Sequence, residues 1–191
     1  MALGLGRLKL PWRTKESHAG DPYWDFFINT PTADLANSVP DIIRKAPEGN
    51  IFPTKADIHT PDITSGHVKE MARYLGADLV GVAGLGPDET DGLPFAVVCA
   101  FRADHDPRIA KGIGGQVPVQ KGLFITFVLS AWIRELGFRA TAVLDPNAEK
   151  LAVAAGLGTL DAEGRLVTSK FGTRVHVANV IRTDLPLAPD G

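Results

Sequence analysis

The chain has 191 residues, the length of one ordinary domain with room for an appendage. Hydrophobic residues make up 45% and charged residues 22%, which excludes disorder over the whole chain. Twenty Lys and Arg against 22 Asp and Glu give a net charge of −2, so no basic excess points to nucleic acid, and the single cysteine, Cys99, excludes an internal disulfide, a four-cysteine zinc site and a cysteine-ligated iron–sulfur cluster within the chain.

Residues 1–61 differ from the rest in carrying seven of the fourteen prolines. Proline fixes φ and removes a donor, so neither a long helix nor a central strand fits there. The segment also holds Trp12, Tyr23, Trp24, Phe26, Phe27 and Phe52, aromatics that seldom stay in solvent. Two readings stand: an extended proline-rich N-terminal arm lying across the domain or a neighbouring subunit, or an ordinary packed loop region. In either, Pro40–Ala46 is one short helix. The first reading divides the chain into an arm, 1–61, and a core domain, 62–191, and makes the arm a contact for a homodimer or a partner subunit. The Met1–Arg7 start places its charge after a very short apolar run, the reverse of a signal peptide.

From Thr64 the pattern becomes regular. Val68, Met71, Ala72 and Leu75 fall at i, i+3, i+4 and i+7, one stripe of a helix that Thr64 or Ser65 caps and Gly76 ends. Asp78–Ala83 and Phe95–Phe101 are apolar and valine-rich and read as strands. A loop carrying Asp104, His105 and Asp106 and a glycine cluster follows. Pro118–Leu136 is the longest helix, apolar around nearly all of its circumference and therefore buried and central. Its apolar run, residues 123–133, is broken by Thr126 and Ser130 and falls short of the roughly 20 residues of a membrane span. Phe138–Leu144 is a third strand, Asp145-Pro146 starts a helix to Ala155, and Leu166–Ser169 and Arg174–Arg182 are strands on either side of a turn at Lys170–Thr173. Val175, Val177 and Ile181 share one face. The order α, β, β, α, β, α, β, β predicts an α+β layered domain with a mainly antiparallel sheet. A soluble cytoplasmic protein with a reduced thiol is expected.

Familiar catalytic signatures are missing. The sequence has no P-loop, no dinucleotide fingerprint and no esterase elbow. Cys99 lies in an apolar strand and reads as inert packing. Asp57, His59 and Asp62, and Asp104, His105 and Asp106, sit beside prolines where Asp and His make local turn hydrogen bonds, and neither set has the spacing of a metal site. His176 reads as a solvated or hydrogen-bonded strand residue. The informative stretch is C-terminal: Ala155-Gly156-Leu157-Gly158 ends a helix with two glycines, and Lys170-Phe171-Gly172-Thr173-Arg174 turns between strands with a glycine and a cation.

Ala131–Phe138 (AWIRELGF), Leu151–Gly158 (LAVAAGLG), Leu166–Val175 (LVTSKFGTRV) and Thr183–Leu187 (TDLPL) occur in this order and at matching spacing in one family. The stretch Phe127–Leu187 resembles the cobalamin-binding core of reductive dehalogenases and epoxyqueuosine reductases, and residues 64–110 match more loosely. The resemblance covers a little under two thirds of the chain and implies a nitroreductase-like core. It implies a corrinoid-binding protein, with Ala155, Gly156, Leu157, Gly158, Phe171, Gly172 and Arg174 lining the cofactor pocket and Arg174 pairing with a phosphate or amide oxygen of the nucleotide tail. No protein residue is expected to ligate cobalt, since the histidine motif of methyltransferase-type corrinoid domains is missing.

Three departures bear on activity. Family members carry two cysteine clusters after the Thr-Asp-Leu-Pro-Leu segment, and here Gly191 follows four residues later with Cys99 as the one thiol, so no iron–sulfur cluster is expected. Where the family has a cation after its Ala-Gly-Leu-Gly, this chain has Asp161-Ala162. The family's proton-donating tyrosine precedes the long helix, and Tyr23 and Tyr74 lie outside that window. The catalytic residues are therefore unassigned. The expected function is the corrinoid component of a reductase fed by an external electron-donor protein. A non-catalytic corrinoid carrier or complex subunit, and a nitroreductase-like enzyme with FMN, are the alternatives. Neither a nucleic acid nor a membrane is an expected partner.

Overall fold

A computed structural model describes residues 39–86, 91–109 and 113–191. The first five aromatics of the expected arm, Trp12 to Phe27, lie outside these residues. Residues 40–191 belong to one unit by their internal contacts. The short helix expected at Pro40–Ala46 is present, with residues 39–45 helical.

Three longer helices and seven strands follow. Helix α1, Pro61–Leu75, begins with proline in its first turn and ends at Gly76, whose φ of +109° is a left-handed conformation that suits glycine. Thr60, not Thr64 or Ser65, precedes the first turn. Thr64 and Ser65 are buried inside the helix, and the Ser65 hydroxyl exchanges hydrogen bonds with the backbone of Ala188, 3.2 Å to its carbonyl and 2.8 Å from its N–H. Strand β1 is Leu79–Gly84 and β2 is Phe95–Arg102. Helix α2, Ile113–Glu135, starts earlier than the sequence suggests and takes Pro118 within it. Strand β3 is Ala140–Val143 and helix α3 is Ala148–Ala154. Strands β4 (Thr159–Leu160) and β5 (Leu166–Val167) pair only with each other, and β6 (Val175–Val177) and β7 (Val180–Thr183) close the order.

The main sheet runs β1-β2-β7-β3 with β6 also on β2, and every pairing is antiparallel. The mixed helix and antiparallel-sheet class is as the sequence predicts. Both faces of this sheet are covered, which is why β2 is apolar at successive positions. Val97, Cys99 and Phe101 point to α1 and α2, meeting Val68, Ala72, Ile125, Leu129 and Ile133. Ala96, Val98 and Ala100 point the other way, to Ala148, Ala152 and Ala155 of and after α3 and to Leu166. Cys99 is fully buried, and desolvation pushes its thiol up to about 12, consistent with inert packing. Among the described residues no helix is long and apolar enough to cross a membrane.

Helix α2 is not buried all round. Its sheet-facing residues are sealed, whereas Val117 and Phe124 are more than half exposed. At Gly137 the positive φ of +84° ends the helix, and a Cβ there would lie 2.6 Å from the Thr54 carbonyl oxygen. That close approach lets the 52–56 segment cross the helix end, with Phe52 N–H donating to Arg134 O and Ala56 N–H to Leu136 O at 2.9 and 2.8 Å.

The strand expected over Arg174–Arg182 is interrupted. Ala100 pairs with Val177 and Val97 with Ile181, so two β2 residues face three on the other side, Ala178, Asn179 and Val180. One extra residue is a β-bulge, and it reverses the alternation. Val175 and Val177 accordingly pack towards α3 while Ile181 packs towards α2, and the expected common face does not exist.

Candidate functional site

The two segments singled out in the sequence come together through the β4–β5 hairpin. Ala155 follows α3 as its cap, with its N–H on the Leu151 carbonyl at 2.8 Å. Gly156 takes a φ of +69° and turns the chain, and Leu157 N–H donates to Ala152 O at 2.9 Å. Gly158 then passes against β5: a Cβ there would lie 2.1 Å from the Val167 carbonyl oxygen and 3.3 Å from Thr168 Cα. The space beside Gly158 is thus taken by the protein's own backbone. Gly81 of β1 makes the matching approach from the sheet, where a Cβ would lie 2.2 Å from the Ala155 carbonyl oxygen.

The 168–174 turn is held by Thr168. Its N–H donates to Gly172 O at 3.0 Å, its carbonyl accepts Gly172 N–H at 2.9 Å, and its hydroxyl accepts Phe171 N–H at 3.1 Å. Gly172 has a φ of +57° and no heavy atom within 4 Å of a would-be Cβ, so this side of the turn is open. Lys170 Nζ lies 5.0 Å from the Phe171 ring centroid. The Arg174 side chain is exposed, while its carbonyl accepts Ala103 N–H at 3.1 Å and ties the turn to the end of β2.

None of these seven residues lines the adjoining cleft of about 180 Å³. Its walls come from the 106–108 loop, the start of α3, Arg165, and β6 with its neighbours. Sequence reasoning missed it because its polar groups are scattered over 70 residues. Arg108 is clamped on Asp106 at 2.9 Å, and Arg165 reaches Asp161 at 2.7 Å. The Asp161 carboxylate also accepts the N–H groups of Glu163 and Arg165, making 161–165 a tight turn with Ala162 exposed at its tip. Where the family resemblance leads one to expect a cation there is an exposed methyl group, and the nearest guanidinium is Arg165.

His176 is a half-buried titratable group of this cleft. Desolvation, and after it the charge of Arg108, push its pKa down to about 4 against the opposing pull of Asp106. The imidazole is therefore neutral at pH 7. Asp145 does not cap α3 as expected. Its Oδ1 accepts Asn147 N–H at 2.8 Å in a local turn, and its Oδ2 takes the Arg182 guanidinium at 2.6 Å. Burial raises its pKa, but the Arg182 and Asn147 hydrogen bonds and the Arg182 charge outweigh that and hold the carboxyl below the usual range.

The cleft continues. Through Leu144, His176, Val177 and Ala178 it meets a cavity of about 50 Å³, which in turn shares Arg44, Leu123 and Asn179 with one of about 70 Å³. The result is a furrow from the α3 start to the β3 flank of α2. The bulge aims Asn179 into it. Among the described residues, no group of three or more His, Cys, Asp or Glu converges as a metal ligand set, and neither His59 nor His105 is in such a group. Cobalt in a macrocycle needs no such set.

No family model matches the chain. Tetrachloroethene reductive dehalogenases of Desulfitobacterium hafniense and Dehalobacter restrictus are each 38% identical to it over 68 residues, 35% of this chain and 12% of the relative. A solved reductive dehalogenase, whose structure suggests a mechanism for B12-dependent dehalogenation, matches with a TM-score of 0.65 and 25% identity over 83% of this chain and 24% of that one. A catabolic reductive dehalogenase in complex with 3-bromo-4-hydroxybenzoic acid matches with a TM-score of 0.66 and 23% identity, over 86% of this chain and 28% of that one. The chain thus spans about a quarter of the length of these solved relatives.

Proposed function

The chain is a reductive dehalogenase-like domain, and on that premise we propose that it binds a corrinoid and serves as the corrinoid component of a reductase. The observation that carries the reading is the 25% identity, spread over 83% of the chain, with a protein of B12-dependent dehalogenation. A nitroreductase-like layering of the core belongs to the same proposal.

The residues fit such a ligand. A corrinoid is broad and flat, with an apolar face and an amide rim, so it needs an open surface with donors at its edge. The 168–174 turn is open at Gly172 and carries Ser169, Lys170 and Arg174 as exposed donors. The bound group would be held by Phe171, Gly172 and Arg174 on the open side of the turn, with Ala155, Gly156 and Leu157 fixing the helix end and Gly158 packed on β5 beside them. Bound there, a corrinoid supplies an electron-rich cobalt centre for attack on a carbon–halogen or related bond.

The chain's own residues then orient and exclude water. The ion pairs Arg108–Asp106 and Arg165–Asp161 stiffen the cleft wall while cancelling most of its charge. Neutral His176 presents one ring nitrogen as a hydrogen-bond donor and the other as an acceptor, with no net charge. These residues include no set of cluster-ligating thiols, since Cys99 is the single cysteine and is buried. In this reading the electrons come from outside these 191 residues. The exposed Ala162 supports the second reading, a corrinoid carrier, because no cation stands at that position.

The purified chain, incubated with hydroxocobalamin and passed over gel filtration, is expected to elute with the absorption of a corrinoid at close to one per chain. Reductive turnover is expected only when a reductase or a strong chemical reductant is added. Retention of FMN in place of the corrinoid would move the assignment to a flavin enzyme, and retention of neither would end the corrinoid reading.

A further inference from the structure

One wall of the furrow holds a buried cation with a free donor. Arg134 lies on the buried flank of α2 beside β3, where Leu123, Phe127, Ser130 and Arg134 form one helical stripe at i, i+4, i+7 and i+11. It is 2% exposed. Its Nη1 donates to Ala140 O at 2.6 Å, and its Nη2 has no hydrogen-bond partner. Arg134 makes no ion pair among the described residues. Glu48, in the same wall, accepts a hydrogen bond from the Thr141 hydroxyl instead. The Glu48 carboxylate is near enough to act on Arg134 through its charge, but the buried Nη2 donor still has no acceptor, which is costly unless something else accepts from it.

What accepts must be small. The cavity at Arg134 is about 70 Å³, room for roughly two waters at about 30 Å³ each or one tetrahedral oxyanion, and too small for a base or a ring. Its remaining polar wall offers donors on Arg44 and Asn179, the last aimed there by the bulge between β6 and β7, beside the Glu48 carboxylate and a Ser130 hydroxyl that donates to Phe127 O. Gly122 makes this possible. A Cβ there would lie 2.5 Å from Ala178 Cβ, so only glycine lets α2 come down beside the bulge. The furrow joins this pocket to the cleft at His176, so a molecule in the cleft can extend a tail into it.

We infer that the pocket formed by Arg134, Arg44 and Asn179 is an oxyanion subsite that takes a phosphate group, the phosphodiester of the cofactor's nucleotide tail. This rests on the corrinoid reading for the source of the phosphate, while the oxyanion chemistry stands on the pocket itself. It assigns phosphate recognition to the β3 flank of α2 and leaves Arg174 for the amide rim.

The test compares cobalamin with cobinamide, which lacks the nucleotide and its phosphate, by titration of the full chain, and adds a thermal-shift series in inorganic phosphate. Wild type is expected to bind cobalamin about tenfold or more tighter than cobinamide, the size of one charge-assisted contact. Arg134→Met and Arg44→Gln are each expected to lower cobalamin affinity about fivefold to tenfold and leave cobinamide unchanged. Arg44 is exposed enough that its variant tests the pocket if Arg134→Met fails to fold. Equal losses for both corrinoids, no loss for either, or a cobalamin-selective loss only in Arg174→Gln would overturn the assignment. If wild type binds neither corrinoid, stabilisation by inorganic phosphate that disappears in Arg44→Gln upholds the oxyanion subsite while the corrinoid reading falls. The absence of any phosphate effect in that case overturns both.

Discussion

Gly158→Ala is expected to destabilise the protein by about 2–4 kcal/mol, seen as a lower urea midpoint at unchanged slope. The added Cβ would lie 2.1 Å from the Val167 carbonyl oxygen and 3.0 Å from its carbon. Both neighbours are backbone, so no side chain can rotate away. Relief requires opening the β4–β5 hairpin, which has only two paired positions, Thr159 with Val167 and Leu160 with Leu166. Gly172→Ala is the control. There φ is +57° but nothing lies within 4 Å of the Cβ, so the cost is that of a left-handed backbone alone, about 1–2 kcal/mol. Equal effects of the two substitutions would show that conformation, not close approach, is what glycine supplies at 158.

Asp145→Ala is expected to cost about 1.5–3 kcal/mol at pH 7, because it removes a part-buried, charge-assisted hydrogen bond to the Arg182 guanidinium. The Asp145 side chain is 3% exposed and that of Arg182 25%, and their bond ties the start of α3 to the central strand β7. The same variant has a pH signature. The folded carboxyl titrates below its unfolded value, so its contribution is complete above the unfolded pKa near 3.9 and is lost as pH falls through the lower folded value. The wild-type advantage over Asp145→Ala should therefore be flat from neutral pH to about 5 and shrink below about 4. His176 also costs stability on acidification, between its ordinary value of 6.5 and about 4, but it does so in both proteins and cancels in the difference. A gap that stays constant down to pH 2 on the way to acid unfolding, roughly two units below the ordinary carboxylate value, would contradict the charge pairing.

The sequence made the elements legible where one period dominated. The Val68-Met71-Ala72-Leu75 stripe, the β2 run and the long helix all form. It failed where a tertiary contact chose the geometry. The β4–β5 hairpin is too short to show a period, and its 161–165 turn is set by the Asp161 carboxylate. The bulge at 178–180 is one residue in length and leaves the valine alternation looking continuous. At Gly158 the sequence suggested room for a flat ligand, and the room belongs to β5. Asp145 before Pro146 has every local mark of a cap, but Arg182, 37 residues on, takes the carboxylate. The segments 155–158 and 171–174 were found through their glycines, and their meeting was not, because Thr168 joins them across the hairpin. Arg134 carried one faint signal, a charge at the end of an apolar helical stripe.

Amide hydrogen exchange on the full chain, with and without saturating hydroxocobalamin, tests most directly whether this domain holds a corrinoid at the hairpin and its adjoining turn. The account predicts slowed exchange at Gly156–Gly158 and at Phe171–Arg174, with α1 unchanged and with no such protection by FMN. Unchanged exchange at both segments under cobalamin, or the same protection produced by FMN, would contradict it.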